Sequence, residues 1–130
     1  MQPSHGVAIV VMIPMFLRTI VLTSVLAVGA SIVAHADLRS DAQAQVDFGI
    51  TVAQKGLWKE AIYRWERASD LDPDYAAAWN NLGIAYEHEG QFDKAREAYE
   101  MALDLEPDNL MIQQNYDLFR EINDRVQGDR

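Results

Sequence analysis

Side-chain chemistry needs a nucleophile, a base or a set of metal ligands, and this chain has few candidates. Of its three histidines, His5 and His35 lie in an apolar N-terminal stretch, and His88 stands between Glu87 and Glu89. Glu87-His88-Glu89 lacks the second histidine one helical turn away that a zinc-protease motif needs, so His88 reads as a solvated surface residue. Carboxylates gather at Asp70, Asp72 and Asp74 and again at Glu106 and Asp108, around Pro73 and Pro107. Acids beside a turn accept from the free amides of a following helix and suit its positive end. A calcium loop would need a glycine and a terminal glutamate at set spacing, which are missing here. Without cysteine there is no disulfide, thiolate zinc site, paired-cysteine haem attachment, iron–sulfur cluster or thiol nucleophile. Phosphate loops and nucleophile elbows are also missing. The residues therefore point to no catalytic group, no metal and no cofactor, and the chain reads as a non-enzyme.

A chain of 130 residues fits one small domain with accessory segments, since domains most often run to roughly 100–150 residues. All 20 acidic residues and 10 of the 11 basic ones lie from Asp37 onward, so that part carries 10 − 20 = −10. Such a domain repels phosphate backbones and has no basic stripe, which excludes nucleic acid as its expected partner. Partners with basic ends would be steered toward it.

The accessory segment is the N-terminus. Val7 to Ala36 is overwhelmingly apolar, broken by Pro14 and Arg18, and ends in Ala34-His35-Ala36 before a polar stretch. A cation, an apolar run and a small-x-small box are the layout of a secretory signal over residues 1–36, with Ala36–Asp37 as the scissile bond. Translation from Met15 would leave a 22-residue signal, 15–36, which makes residues 1–14 an over-extended start. An uncleaved anchor is the alternative, because the run from Thr19 to Val33 approaches the roughly 20 residues of a spanning helix. Either way the acidic domain is expected across the membrane, periplasmic or secreted in the first case and membrane-anchored in the second. The membrane would be touched only through this segment.

The rest of the chain repeats itself. Residues 42–75 aligned with 76–109 give 12 identities in 34, among them Gly49/Gly83, Gly56/Gly90, Ala61/Ala95, Ala68/Ala102 and Pro73/Pro107. Phe48/Leu82, Trp58/Phe92 and Trp65/Tyr99 keep size and character. Gly49 and Gly83 fall inside helical patterns, where glycine costs about 1 kcal/mol against alanine, so a close helix–helix approach is expected there. The alanines would supply that approach from the opposite helix, and the aromatics would fill the space between hairpins.

Trp79, Leu82, Gly83, Tyr86, Gly90, Phe92, Ala95, Tyr99, Ala102 and Pro107 stand at the spacing of the tetratricopeptide repeat, and the second repeat resembles it almost throughout. The first has Gln45 for the tryptophan and Val52 for the tyrosine. The resemblance implies an all-α fold, a short α-solenoid of two helical hairpins over 41–126 with a C-terminal capping helix, 109–126. Helices are expected at 41–55, 58–71, 75–89, 92–105 and 109–126, with Asp74 and Asp108 as N-caps. In the last helix Gln113, Tyr116, Asp117 and Arg120 occupy the places of Trp79, Leu82, Gly83 and Tyr86, and this polar face suits a solvating cap. Two repeats are fewer than the three usual for a continuous core, so the open Gln45 face is expected to be bare or stacked on another chain.

The same resemblance implies a function. First helices of successive repeats line a concave surface for peptides, and carrying those positions over gives Gln43, Val46, Asp47, Ile50 and Gln54, then Ala77, Asn80, Asn81, Ile84, Glu87 and His88. The closing helix adds Leu118, with Gln114 and Glu121. Val46, Ile50, Ile84 and Leu118 are expected to form an apolar floor, or else simply to pack between helices. The carboxylate clamp of one subset needs a lysine and an asparagine where Val46 and Ile50 stand, and only Asn81 matches, so that activity is not expected. The reading is an exported interaction module, a scaffold or adaptor in the cell envelope with a protein or peptide partner. Its alternative is a structural subunit that works by self-stacking, a homo-oligomer or one layer of a larger helical assembly.

Overall fold

A computed structural model describes the backbone of residues 15–128 and the side chains of residues 34–125. Expectations for residues 1–14, and for the side chains of the run Thr19–Val33, fall outside the described residues. Five helices and no strand make up the described chain: α1 (Met15–Ala53), α2 (Trp58–Leu71), α3 (Ala76–His88), α4 (Phe92–Leu105) and α5 (Leu110–Gly128). The chain divides into two units, one ending at Ala34 and one beginning at His35. The second unit is a short all-α tetratricopeptide-type solenoid. Among the described residues no helix is long and apolar enough to cross a membrane.

The helices begin and end where the repeat punctuates them. Gly56 and Gly90 take φ of +77° and +72°, a left-handed conformation that glycine adopts without a Cβ penalty. Around Gly56, the Leu57 amide donates back to the Val52 carbonyl and the Gly56 amide to Ala53; Gln91 to Tyr86 and Gly90 to Glu87 repeat the pair one hairpin later. These bonds satisfy carbonyls that a helix end leaves unpaired. After Pro73 and Pro107 the chain turns through Tyr75 N to Asp72 O and Asn109 N to Glu106 O.

Two expectations about helix ends need correction. The helix placed at 41–55 starts at Met15, because no proline lies between Pro14 and Pro73 and the intervening sequence is rich in alanine, leucine and valine. Asp74 and Asp108 are not the N-caps. Tyr75 occupies that place before α3 without a side-chain bond. Before α5, Asn109 Oδ1 accepts from the amides of Met111 and Ile112. Asp72 Oδ1 accepts from the Asp74 amide within the inter-repeat turn, ahead of α3.

Packing inside each hairpin is set by a glycine under a ring. A Cβ on Gly49 would lie 2.3 Å from Trp65 Nε1, and one on Gly83 would lie 2.7 Å from the Tyr99 ring. The close approach expected at these glycines therefore exists, but its partner is the aromatic of the same hairpin and not an alanine. Trp65 also donates through Nε1 to the Val46 carbonyl at 3.1 Å, which joins α2 to α1. Ala61, Ala68, Ala95 and Ala102 are fully buried and let the helices close around these rings. Phe119 of α5 completes the core, with its ring centroid 5.5 Å from that of Tyr99.

An ion pair between an exposed arginine and a buried carboxylate ties the start of the unit to the first inter-repeat turn. Arg39 Nε pairs with Asp72 Oδ2, Arg39 also donates to the Asp74 carbonyl, and its guanidinium lies 4.6 Å above the Tyr75 ring. Asp72 is 3% exposed, and Arg39 is the cation that meets it there.

Candidate functional site

The concave face is built from α1, α3 and α5, with turn residues closing its lower edge. Its central cavity, about 590 Å³, is lined by Val46, Asp47 and Ile50 of α1, by Ala77, Asn80, Asn81 and Ile84 of α3, and by Met111, Ile112 and Asn115 of α5. Tyr75, Glu106 and Asn109 complete it from the turns. A second cavity of about 390 Å³ adjoins it, lined by Trp58, Ile84, Glu87, His88, Tyr99, Asn115 and Leu118. Ile84 and Asn115 belong to both walls, so the two spaces meet there. Asn115 Nδ2 donates to Asn80 Oδ1 at 3.0 Å across that junction and fixes α5 to α3.

The groove positions carried over from the repeat are thus distributed between two spaces. Val46, Asp47, Ile50, Ala77, Asn80, Asn81 and Ile84 meet in the first, and Ile84, Glu87, His88 and Leu118 in the second. Gln43 and Gln54 are exposed and line neither, as are Gln114 and Glu121. The apolar floor differs from its expected form. Val46 is 4% exposed and belongs to the core, while Ile50 and Leu118 remain 39% and 56% exposed. Met111, exposed and one register position from the start of α5, adds an apolar surface that the sequence reading left out.

Residues missed in sequence entered from elements other than the first helices. Trp58 is the first residue of α2, and its ring stacks on His88 with centroids 4.1 Å apart. Tyr75 and Asn109 come from the inter-repeat turns. Their aromatic or amide character was visible, but no register of first-helix positions contains them.

The electrostatics are one-sided. The two walls hold the carboxylates of Asp47, Glu87 and Glu106 and no lysine or arginine. Tyr99 donates its hydroxyl to Glu87 Oε2 at 3.1 Å. Burial, then the Glu87 charge and this bond, hold the Tyr99 proton far more tightly than in free tyrosine. Tyr86 is raised for the same kind of reason, by burial and by its 2.6 Å bond to Glu66. Burial and then the Asp47 charge raise Tyr75. Each phenol is a fixed donor to a carboxylate or a neighbour of one, so none is a base at neutral pH.

Among the described residues one other group of ligand-type side chains converges, His35, Asp72 and Asp74, within 4.8 Å of one another. A cation arriving there would meet the Arg39 guanidinium already paired with Asp72, which makes the cluster a structural staple.

The tetratricopeptide repeat model matches residues 76–109, and a TPR repeat model matches residues 52–89. Both support a tetratricopeptide-repeat protein, and such repeats suggest a protein–protein interaction module. They are typically non-catalytic. No curated protein matched the chain.

Proposed function

We propose that this chain is an exported scaffold or adaptor of the cell envelope that holds a protein partner on its concave face. One observation carries the reading: two cavities that share Ile84 and Asn115 are lined by exposed aliphatics and by three carboxylates, with no lysine or arginine. Such a surface fits a peptide with apolar anchors and positive charge, and opposes an acidic one. Residues 1–36 act as the export signal and 41–126 as the binding domain. This rests on the apolar run and the Ala34-His35-Ala36 box, which is exposed on α1. The domain then works in the periplasm or outside the cell, or on the outer side of a membrane if the leader stays as an anchor.

The test is crosslinking in intact cells with the full chain and with Ile84→Glu. Ile84 stands where the cavities meet, so a carboxylate there should remove groove-dependent partners while circular dichroism stays unchanged. Partners that all survive the change would sink the groove as the binding surface.

A second reading has its own support at the open end of the stack. Phe48 and Tyr63 are 47% and 52% exposed, and the Arg64 guanidinium lies 4.4 Å from one ring and 5.4 Å from the other. Stacking of copies through this face is the alternative function. Light scattering that gives a monomer at high concentration would remove it.

A further inference from the structure

Resting on the groove reading above, we infer that the cavity between α3 and α5 is a socket for one basic side chain of the partner, an arginine or a lysine. Its apolar walls are Trp58, Ile84 and Leu118, and its polar groups are Glu87, Asn115, the Tyr99 hydroxyl and the His88 imidazole, which is stacked on Trp58. Two of those polar groups have already committed their donors. The Tyr99 hydroxyl donates to Glu87 Oε2, and Asn115 Nδ2 donates to Asn80. What they still offer an incoming group is oxygen: Glu87 Oε1, Asn115 Oδ1 and the phenol lone pairs. Its one basic group is the exposed His88 imidazole; furnished otherwise with acceptors, and without lysine or arginine, the socket is complementary to a cation and repels a carboxylate.

The wall chemistry selects a long side chain. Lysine and arginine carry an apolar stem below a charged head, and a stem lying along Ile84 and Leu118 brings the head to Glu87. The Trp58 ring, braced by its stack on His88, adds an aromatic wall against which the apolar stem can pack. Tyr99 is 1% exposed with its ring on Gly83, so it contributes only its hydroxyl. The central cavity also carries two carboxylates, Asp47 on α1 and Glu106 in the second inter-repeat turn, both near enough to the Tyr75 phenol to raise it, but neither is held in place by a phenol bond as Glu87 is by Tyr99. The basic anchor therefore belongs at the α3–α5 end, and the apolar anchors at Ile50 and Met111.

The probe is a positional-scanning library of acetylated, amidated decapeptides, with one position fixed in turn as arginine, lysine, citrulline or leucine and the others randomised. Each pool is bound to the full chain and to its Glu87→Gln and Asp47→Asn forms. Glutamine can still accept the Tyr99 hydroxyl, so the helices keep their packing, which circular dichroism checks. At one position the unaltered chain should retain arginine and lysine pools about ten-fold over citrulline, the factor expected for one charge-assisted hydrogen bond. Glu87→Gln should abolish that preference, and Asp47→Asn should leave it. Equal retention of arginine and citrulline overturns the socket while leucine-selective binding would keep the groove. A preference that survives Glu87→Gln, or that disappears with Asp47→Asn, overturns the socket as well. No retention of any pool overturns both readings.

Discussion

Trp79 and Gln113, 34 residues apart in the repeat register, make the same hydrogen bond: each side chain donates to the carbonyl of the inter-repeat proline six residues earlier. Trp79 Nε1 reaches Pro73 O at 2.8 Å, and Gln113 Nε2 reaches Pro107 O at 2.5 Å. A tryptophan that reads as a packing residue is thus also a donor that holds the turn. Its loss from α5 costs the array a ring but not the bond. Gln113→Leu keeps the volume and removes the donor, and should destabilise the domain by about 1 kcal/mol in urea unfolding. An unchanged midpoint would mean that water replaces the bond fully.

The two kinds of glycine should respond differently to alanine. At Gly83 the added methyl would meet the Tyr99 ring at 2.7 Å, an overpacking that costs about 1–3 kcal/mol. At Gly90 nothing lies within 4 Å, but φ is +72°, so alanine costs about 1 kcal/mol through backbone strain alone. Gly83→Ala combined with Tyr99→Leu should recover part of its loss. Gly90→Ala should not respond to that second change.

Arg39 stabilises the domain because Asp72 is buried. Arg39→Met leaves that carboxylate without its cation and should cost about 1–3 kcal/mol. Asp72→Asn removes the charge while retaining an acceptor for the Asp74 amide, so adding it to Arg39→Met should restore stability. A double variant no better than the single one would assign the loss to the Arg39–Tyr75 contact instead.

Alkaline pH should unfold the domain through its phenols. Tyr75, Tyr86, Tyr99 and Tyr116 are all raised above the ordinary 10.0. A folded state that holds these protons more tightly is fully favoured below pH 10.0. That advantage is lost as pH climbs from there through the folded values. The paired change Tyr86→Phe and Tyr99→Phe should flatten this loss, read as unfolding free energy against pH between about 9 and 12. A slope as steep as before would place the alkaline sensitivity elsewhere.

How much was legible in the sequence follows from which constraints repeat. Gly83, Tyr99 and Pro107 recur from Gly49, Trp65 and Pro73 because each hairpin solves the same packing problem, so fold and four of the five helix spans could be read to within a residue or two. The start of α1 could not, because an apolar, proline-free stretch continues a helix without a signal. Asp74 and Asp108 looked like caps by residue type, yet Asn109 holds the first amides of α5 and no side chain caps α3, since the turn geometry decides which side chain points back. Half of the groove positions followed from the register. Trp58, Tyr75 and Met111 did not, because their walls come from a second helix, a turn and the cap.

The closing helix links stability to the site, and Phe119 is where the link is tested. Phe119 is 1% exposed, with Tyr99 and Tyr116 rings 5.5 and 6.3 Å away. Phe119→Ala should cost about 3–5 kcal/mol as a transfer and cavity loss, concentrated on α5 because that helix has no further hairpin behind it among the described residues. Both cavities take walls from α5, through Met111, Ile112, Asn115 and Leu118. Hydrogen exchange in α5 should therefore rise before that in α3 and α4, and partner binding should fall in parallel with α5 protection. Leu118→Ser removes wall surface at an exposed position, so it should weaken binding while leaving exchange unchanged. If binding survives the loosening of α5, the groove ends at α3 and the closing helix serves only as a cap.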